Sequence, residues 1–277
     1  MLVSAEKGFC RTVRGNVRDL PSSRRGLTKI VNLVSPLASL PKGRRGRRQR
    51  VRDPLHKGLR LCYLVDTTLV TRMNTQEHWE RVYNTKAPDQ VSWFRPHLQT
   101  SLALIERAAG DRSASIIDVG AGASTLVDDL ILAGYRNVTV LDISQAAIDV
   151  ARRRLGEASE PVQWLRGDVT EGNLPAYTYD VWHDRAVFHF LTNPRDRLLY
   201  VRNVAWAVKP GGHVIVSTFG PEGPEKCSGL DVRRYDAESL HQEFGTRFRL
   251  IESSKELHHT PFGTTQQFLY CHCTLAQ

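Results

Sequence analysis

At 277 residues the chain is long enough for one large domain, or one domain with an appendage. Its net charge of +9 averages two unlike parts: residues 1–72 carry 17 Lys and Arg against 4 Asp and Glu, and residues 73–277 carry 21 against 25. The main body is mildly acidic, so the overall basicity makes no case for specific nucleic-acid binding; no apolar run reaches membrane-spanning length, the nearest, Leu61 to Val70, being interrupted by Asp66.

Residues 1–72 show no sustained helical or strand period, and the charge run from Lys42 to Arg50 repels itself and is expected to stay disordered. An Arg-rich, acid-poor leader resembles an organellar transit peptide, and a basic tail can hold anions non-specifically. Met73 stands just before the first well-patterned helix. The reading taken is a basic extension over residues 1–72, in which Met73 is the true start, and a single domain over residues 73–277. The five cysteines are scattered and odd in number, so no disulfide framework shows and a reducing, cytoplasmic setting is expected, with an organelle as the alternative. Cys271 and Cys273 alternate onto one strand face and are read as packing, with no metal site expected. A monomer is expected.

A short amphipathic helix is expected over Thr75–Tyr83, with Thr75 as N-cap, followed by a polar connector and Trp93-Phe94. The next helix runs from about Thr100 to Ala109 and stops at Gly110. Strand and helix patterns then alternate. Strands are expected at Ser115–Val119, Val138–Asp142, Val162–Leu165, Tyr179–His183 and His213–Ser217, with two more at Arg247–Ser253 and Gln266–Cys273. Between them lie helices over about Thr125–Ala133, Ser144–Leu155, a segment behind the fourth strand, Leu198–Val208 and Ala237–Phe244. Lys209-Pro210-Gly211-Gly212 reads as the turn before the fifth strand. Repeated βα units imply an α/β fold: a Rossmann-like, mostly parallel seven-stranded sheet with helices on both faces and a C-terminal antiparallel strand.

The first strand ends in Asp118-Val119-Gly120-Ala121-Gly122, where a tight glycine turn leads into a helix and lets a ligand lie against bare backbone. A dinucleotide fingerprint needs a third glycine where Thr125 stands, so an NAD(P)-binding oxidoreductase is disfavoured. Asp142 ends the second strand, where it could accept both ribose hydroxyls. Asp168 follows the third strand and could accept from an adenine amine. Three acids fit an adenosine with a short charged side chain better than a pyrophosphate.

These motifs, in this order, resemble the class I seven-strand S-adenosylmethionine-dependent methyltransferases. Asp118 to Gly122 resembles their first motif, Asp142-Ile143-Ser144 their ribose-binding strand end, and Gly167-Asp168-Val169 their adenine contact. Tyr179 to Asp184 resembles their fourth motif and Lys209 to Gly212 their turn before strand five. The resemblance implies S-adenosyl-L-methionine as cofactor, with Gly120 and Gly122 against its methionine part and Asp118 holding its ammonium. Trp79 with Tyr83, Trp93-Phe94 and Asp184-Arg185-Ala186 further resemble the branch containing protein-lysine methyltransferases that act on translation elongation factor and citrate synthase. There Lys-Gly follows the acid in place of Arg185-Ala186. On this resemblance Trp79, Tyr83 and Trp93 join Asp118, Gly120, Gly122, Asp142, Ile143, Asp168 and Val169 as cofactor-binding residues. The methyl acceptor is a protein side chain such as lysine, or a small molecule; a non-catalytic binding module is the remaining alternative.

Methyl transfer is an in-line displacement, so the protein mainly aligns the nucleophile and excludes water. Asp184, with His183 or His189, is the expected group that orients or deprotonates the acceptor. His189 reads more readily as packing with Phe188 and Phe190. His258 and His259 are expected to be solvated in a loop over Leu257–Thr264, and Cys227 to be incidental in the loop over Gly220–Arg234.

Overall fold

The computed structural model describes residues 67–277, with side chains from Thr75 onward; the readings made for residues 1–66 lie outside the described residues. Helices α1 (Thr67–Thr85) and α2 (Gln99–Ala109) precede β1 (Ser115–Val119). The alternation continues through α3 (Leu126–Leu132), β2 (Asn137–Asp142), α4 (Gln145–Leu155), β3 (Gln163–Arg166), β4 (Tyr179–Arg185), α5 (Pro194–Ala207) and β5 (Val208–Phe219). A small hairpin, β6 (Lys226–Cys227) and β7 (Leu230–Asp231), is followed by α6 (Ala237–Phe244), β8 (Phe248–His259) and β9 (Thr265–Leu275).

The main sheet has seven strands in the order β3-β2-β1-β4-β5-β9-β8, parallel from β3 to β5, with β9 antiparallel to both its neighbours. Its strands look continuously apolar because both faces are covered. Ile116, Val181 and Ile215 face a core with Leu104, Ile105, Leu126 and Leu130 of α2 and α3. Their neighbours Ile117, Trp182, Val214 and Val216 face a second core with Tyr200, Val204, Leu240 and Phe244 of α5 and α6. Full burial of each such side chain contributes roughly 2–3 kcal/mol, and a one-residue slip would exchange the two faces. Cys271 and Cys273 pack into the second of these cores, as their alternation implies.

Several boundaries differ from the sequence expectation. Helix α1 passes straight through Thr75, which is therefore not its cap. Immediately behind β4 there is only a 3-10 turn, Phe188–Phe190; the helix proper begins at Pro194, where the Asn193 side chain accepts from Arg195 N at 2.9 Å and Pro194 needs no partner for a missing N–H. Lys209-Pro210-Gly211-Gly212 lies inside β5 as an irregularity, since pairing jumps from Tyr179↔Val208 to Val181↔His213. Lys209 Nζ donates to both oxygens of Asp180 at 2.8 Å, and Asp180 accepts from Ser115 N at 2.8 Å, so this motif clamps the starts of β1, β4 and β5. Strands β8 and β9 extend to His259 and from Thr265, leaving only a turn in which Thr260 N donates to Thr264 O at 2.8 Å.

Candidate active site

A cavity of about 340 Å³ opens at the carboxyl ends of the parallel strands, the edge where open α/β sheets hold ligands. Asp118 and Gly120 come from β1 and its turn, Asp142 and Ile143 from β2, Asp168 and Val169 from the segment after β3, and His183 and Arg185 from β4; all line it. The glycine turn approaches closely. Gly120 and Gly122 sit at φ +61° and +57°, and a Cβ on either would overlap Val187 or the Tyr83 hydroxyl, respectively. Gly122 does not itself line the cavity; its N–H donates to Asp142 Oδ2 at 2.7 Å.

The acids are held differently. Asp142 also accepts from Ser144 N at 2.8 Å, and burial pushes its carboxyl up to about 6 against those two hydrogen bonds. Asp168 Oδ1 accepts from the backbone and hydroxyl of Thr170, at 2.8 and 2.7 Å. Asp118 Oδ1 lies 2.7 Å from His183 Nδ1 in a pair about 1–3% exposed. Asp118 Oδ2 and His183 Nε2 are buried with no hydrogen-bond partner among the described residues. Buried polar atoms left unpaired by the protein call for a partner from outside it, a bound ligand or an ordered water.

Over this edge lies α1. Glu80 accepts from Gln145 N at 2.8 Å, Ala146 N at 3.0 Å and Ser144 Oγ at 3.1 Å, so it caps α4 from outside. Partial burial pulls its carboxyl up, but these donors outweigh that and hold it below its ordinary value. The anchor presents Trp79 and Tyr83 to the cavity, and Trp79 stacks edge-on against Trp93 and Phe190 at 5.8 and 5.1 Å. Thr125, in place of a third glycine, donates to Pro96 O at 2.8 Å and ties the segment before α2 to the glycine turn.

Asp184, expected as a catalytic group, does not line the cavity. Its Oδ1 accepts from Val187 N at 2.8 Å, and its Oδ2 from Phe188 N at 3.1 Å and the Tyr200 hydroxyl at 2.6 Å. It folds back on its own chain as the cap of the turn behind β4, and burial raises its carboxyl to about 6. His189 is fully buried, accepts from Phe219 N at 3.2 Å and is lowered to about 3 by burial, so it is a packed neutral imidazole. His258, expected in solvent, is fully buried and 2.7 Å from Ser92 O; His259 is exposed. Cys227 lines the cavity, its thiol pushed to about 12 by burial. Two contributors were given no site role from the sequence: the Glu80 clamp, and the buried Arg185 guanidinium, noted there only as a departure from the resembled motif.

A family model described as a methyltransferase domain matches residues 116–212. The chain is 33% identical over 122 residues to a malonyl-[acyl-carrier protein] O-methyltransferase of Halalkalibacterium halodurans, which is 42% of this chain and 43% of that protein. It is 34% identical over 116 residues to a ubiquinone biosynthesis O-methyltransferase of Proteus mirabilis, 41% of this chain and 45% of that protein. The chain thus spans less than half the length of these curated relatives. Among solved structures, the Burkholderia thailandensis 1,6-didemethyltoxoflavin N1-methyltransferase with bound S-adenosylhomocysteine has a TM-score of 0.55 at 18% identity, over 82% of this chain and 94% of that one. That likeness shows the fold. The residues at the strand ends fit S-adenosyl-L-methionine: Asp118 Oδ2 is an open acceptor beside a glycine turn, with Asp142 and Asp168 beyond it.

Proposed function

We propose that this methyltransferase-domain sequence, set on the class I fold, makes the chain an S-adenosylmethionine-dependent methyltransferase acting on a small-molecule acceptor. The observation that carries it is the pair of buried, unpartnered atoms, Asp118 Oδ2 and His183 Nε2, on residues that line one cavity together with Asp142 and Asp168. When bound, the cofactor supplies a sulfonium methyl with a neutral thioether leaving group. Asp118 would hold the cofactor's ammonium on Oδ2, and Ile143 and Val169, which line the same cavity, would lie beside the adenosine. Asp142 and Asp168 would accept from the ribose and adenine. In the tautomer in which His183 Nδ1–H donates to Asp118, Nε2 is left as an acceptor with no protein partner among the described residues. His183 then orients the acceptor's nucleophile, or takes its proton where it arrives protonated. Asp184 holds the turn that carries Arg185 to Val187.

The aromatic wall of Trp79, Trp93 and Phe190 would also accommodate an alkylammonium, the acceptor of the lysine methyltransferase branch. Arg185 weighs against it, because a second cation would share a low-dielectric space with a buried guanidinium. The function is tested by incubating purified protein with a cell extract and methyl-labelled S-adenosylmethionine. Label is expected in a small-molecule fraction; label in a protein band would assign a protein acceptor, and no transfer would count against methyltransferase activity.

A further inference from the structure

The side chain of Arg185 is 6% exposed, yet only part of its charge is answered. Nη1 donates to Trp93 O at 3.2 Å, and the guanidinium lies 4.2 Å over the Phe268 ring. Nε and Nη2 have no hydrogen-bond partner among the described residues. The nearest carboxylate, Glu256, is 4.0 Å from Nη2 and is already engaged by Arg95 at 2.7 Å. Two cations share one anion, leaving a buried positive charge only partly answered by the protein, an arrangement that an added anion would relieve.

Position and shape narrow the anion. Arg185 lines the cavity from the end of β4 and leans on β9, on the opposite side of β1 from the β2 and β3 ends that carry Asp142 and Asp168. The open atoms, Nε and Nη2, form one planar edge of the guanidinium, which matches two oxygens of a planar carboxylate. The neighbouring wall is aromatic.

We propose that Arg185 reads a carboxylate on the methyl acceptor, which is a small, apolar-bodied carboxylic acid. This rests on the methyltransferase function above. A carboxylate could also come from the cofactor's own methionine end, so both sources are tested together. The full chain, saturated with S-adenosylhomocysteine, is titrated calorimetrically with benzoate, phenylacetate and cinnamate, each against its neutral amide, and the titrations are repeated for Arg185→Met and Arg185→Lys. At least one acid is expected to bind about tenfold or more tighter than its amide, with the preference lost in Arg185→Met and reduced in Arg185→Lys, and S-adenosylhomocysteine affinity within about threefold of wild type throughout. If no acid outbinds its amide, or if Arg185→Met weakens S-adenosylhomocysteine by more than about tenfold while sparing the acid preference, the proposal is overturned. Failure of S-adenosylhomocysteine to bind wild-type protein would instead strike the methyltransferase function itself.

Discussion

Replacing Asp184 by Asn separates a turn cap from a catalytic acid. The substitution keeps the shape but loses the charge that accepts from Val187 N, Phe188 N and the Tyr200 hydroxyl. Hydrogen bonds to a charged group contribute roughly 1.5–3 kcal/mol each, and the amide can satisfy one or two of the three donors. Against that loss stands the net bias against the ionised group: even with these donors its carboxyl sits at about 6 rather than 3.8, equivalent to about 3 kcal/mol at neutral pH that a neutral amide does not carry. The net destabilisation of Asp184→Asn at pH 7.5 is therefore expected to be small, no more than about 3 kcal/mol, read from the urea midpoint. The folded-state value is raised, so the associated stability is fully present below pH 3.8 and is lost as pH rises through about 6. Asp184→Asn removes this contribution to the pH dependence, so the gap between wild type and variant widens toward acid. Turnover per folded molecule should stay within about tenfold of wild type. A variant of wild-type stability that loses a hundredfold or more in kcat with unchanged cofactor affinity would refute the structural role of Asp184.

Ala186 sits at φ +76°, in the region that favours glycine, so Ala186→Gly should raise stability by up to about 1 kcal/mol in the same urea assay. Asp142→Ala should weaken S-adenosylhomocysteine binding by more than ~1.5 kcal/mol by calorimetry if Asp142 holds the ribose as proposed, and Gly122 N and Ser144 N lose their acceptor as well. Glu80→Ala leaves the first N–H groups of α4 without their outside cap; a cost of about 1–2 kcal/mol and a weaker S-adenosylhomocysteine affinity are expected as the Trp79 wall loosens.

The sheet was legible because each parallel strand is covered on both faces and so reads as an apolar run bounded by turn residues: β1 at Ser115–Val119 and α6 at Ala237–Phe244 fall where the pattern puts them. The strand-end acids Asp118, Asp142 and Asp168 were legible for the same reason, since a strand's end marks the ligand edge. What the pattern could not give was the direction of a side chain once the strand stops. Asp184 follows His183 by one residue, yet His183 faces the cavity and Asp184 turns back to Tyr200, a difference set by alternation and by donors 16 residues away in sequence. His258 was read as loop because β8 is half exposed and its polar alternation hides a strand; its burial depends on Ser92, 166 residues distant. Glu80 was equally hidden, since its partners lie on α4 and it looks like any charge on a helix.

The most direct measurement of the central claim is a calorimetric titration of the purified chain with S-adenosylhomocysteine, run beside NAD and repeated with Asp118→Asn. Binding of the homocysteine nucleoside in the micromolar range is expected, with no NAD binding at comparable concentration and an affinity reduced by about tenfold or more in the variant, whose Oδ2 charge is gone. Binding of NAD in preference, or no binding of S-adenosylhomocysteine by the folded protein, would contradict it.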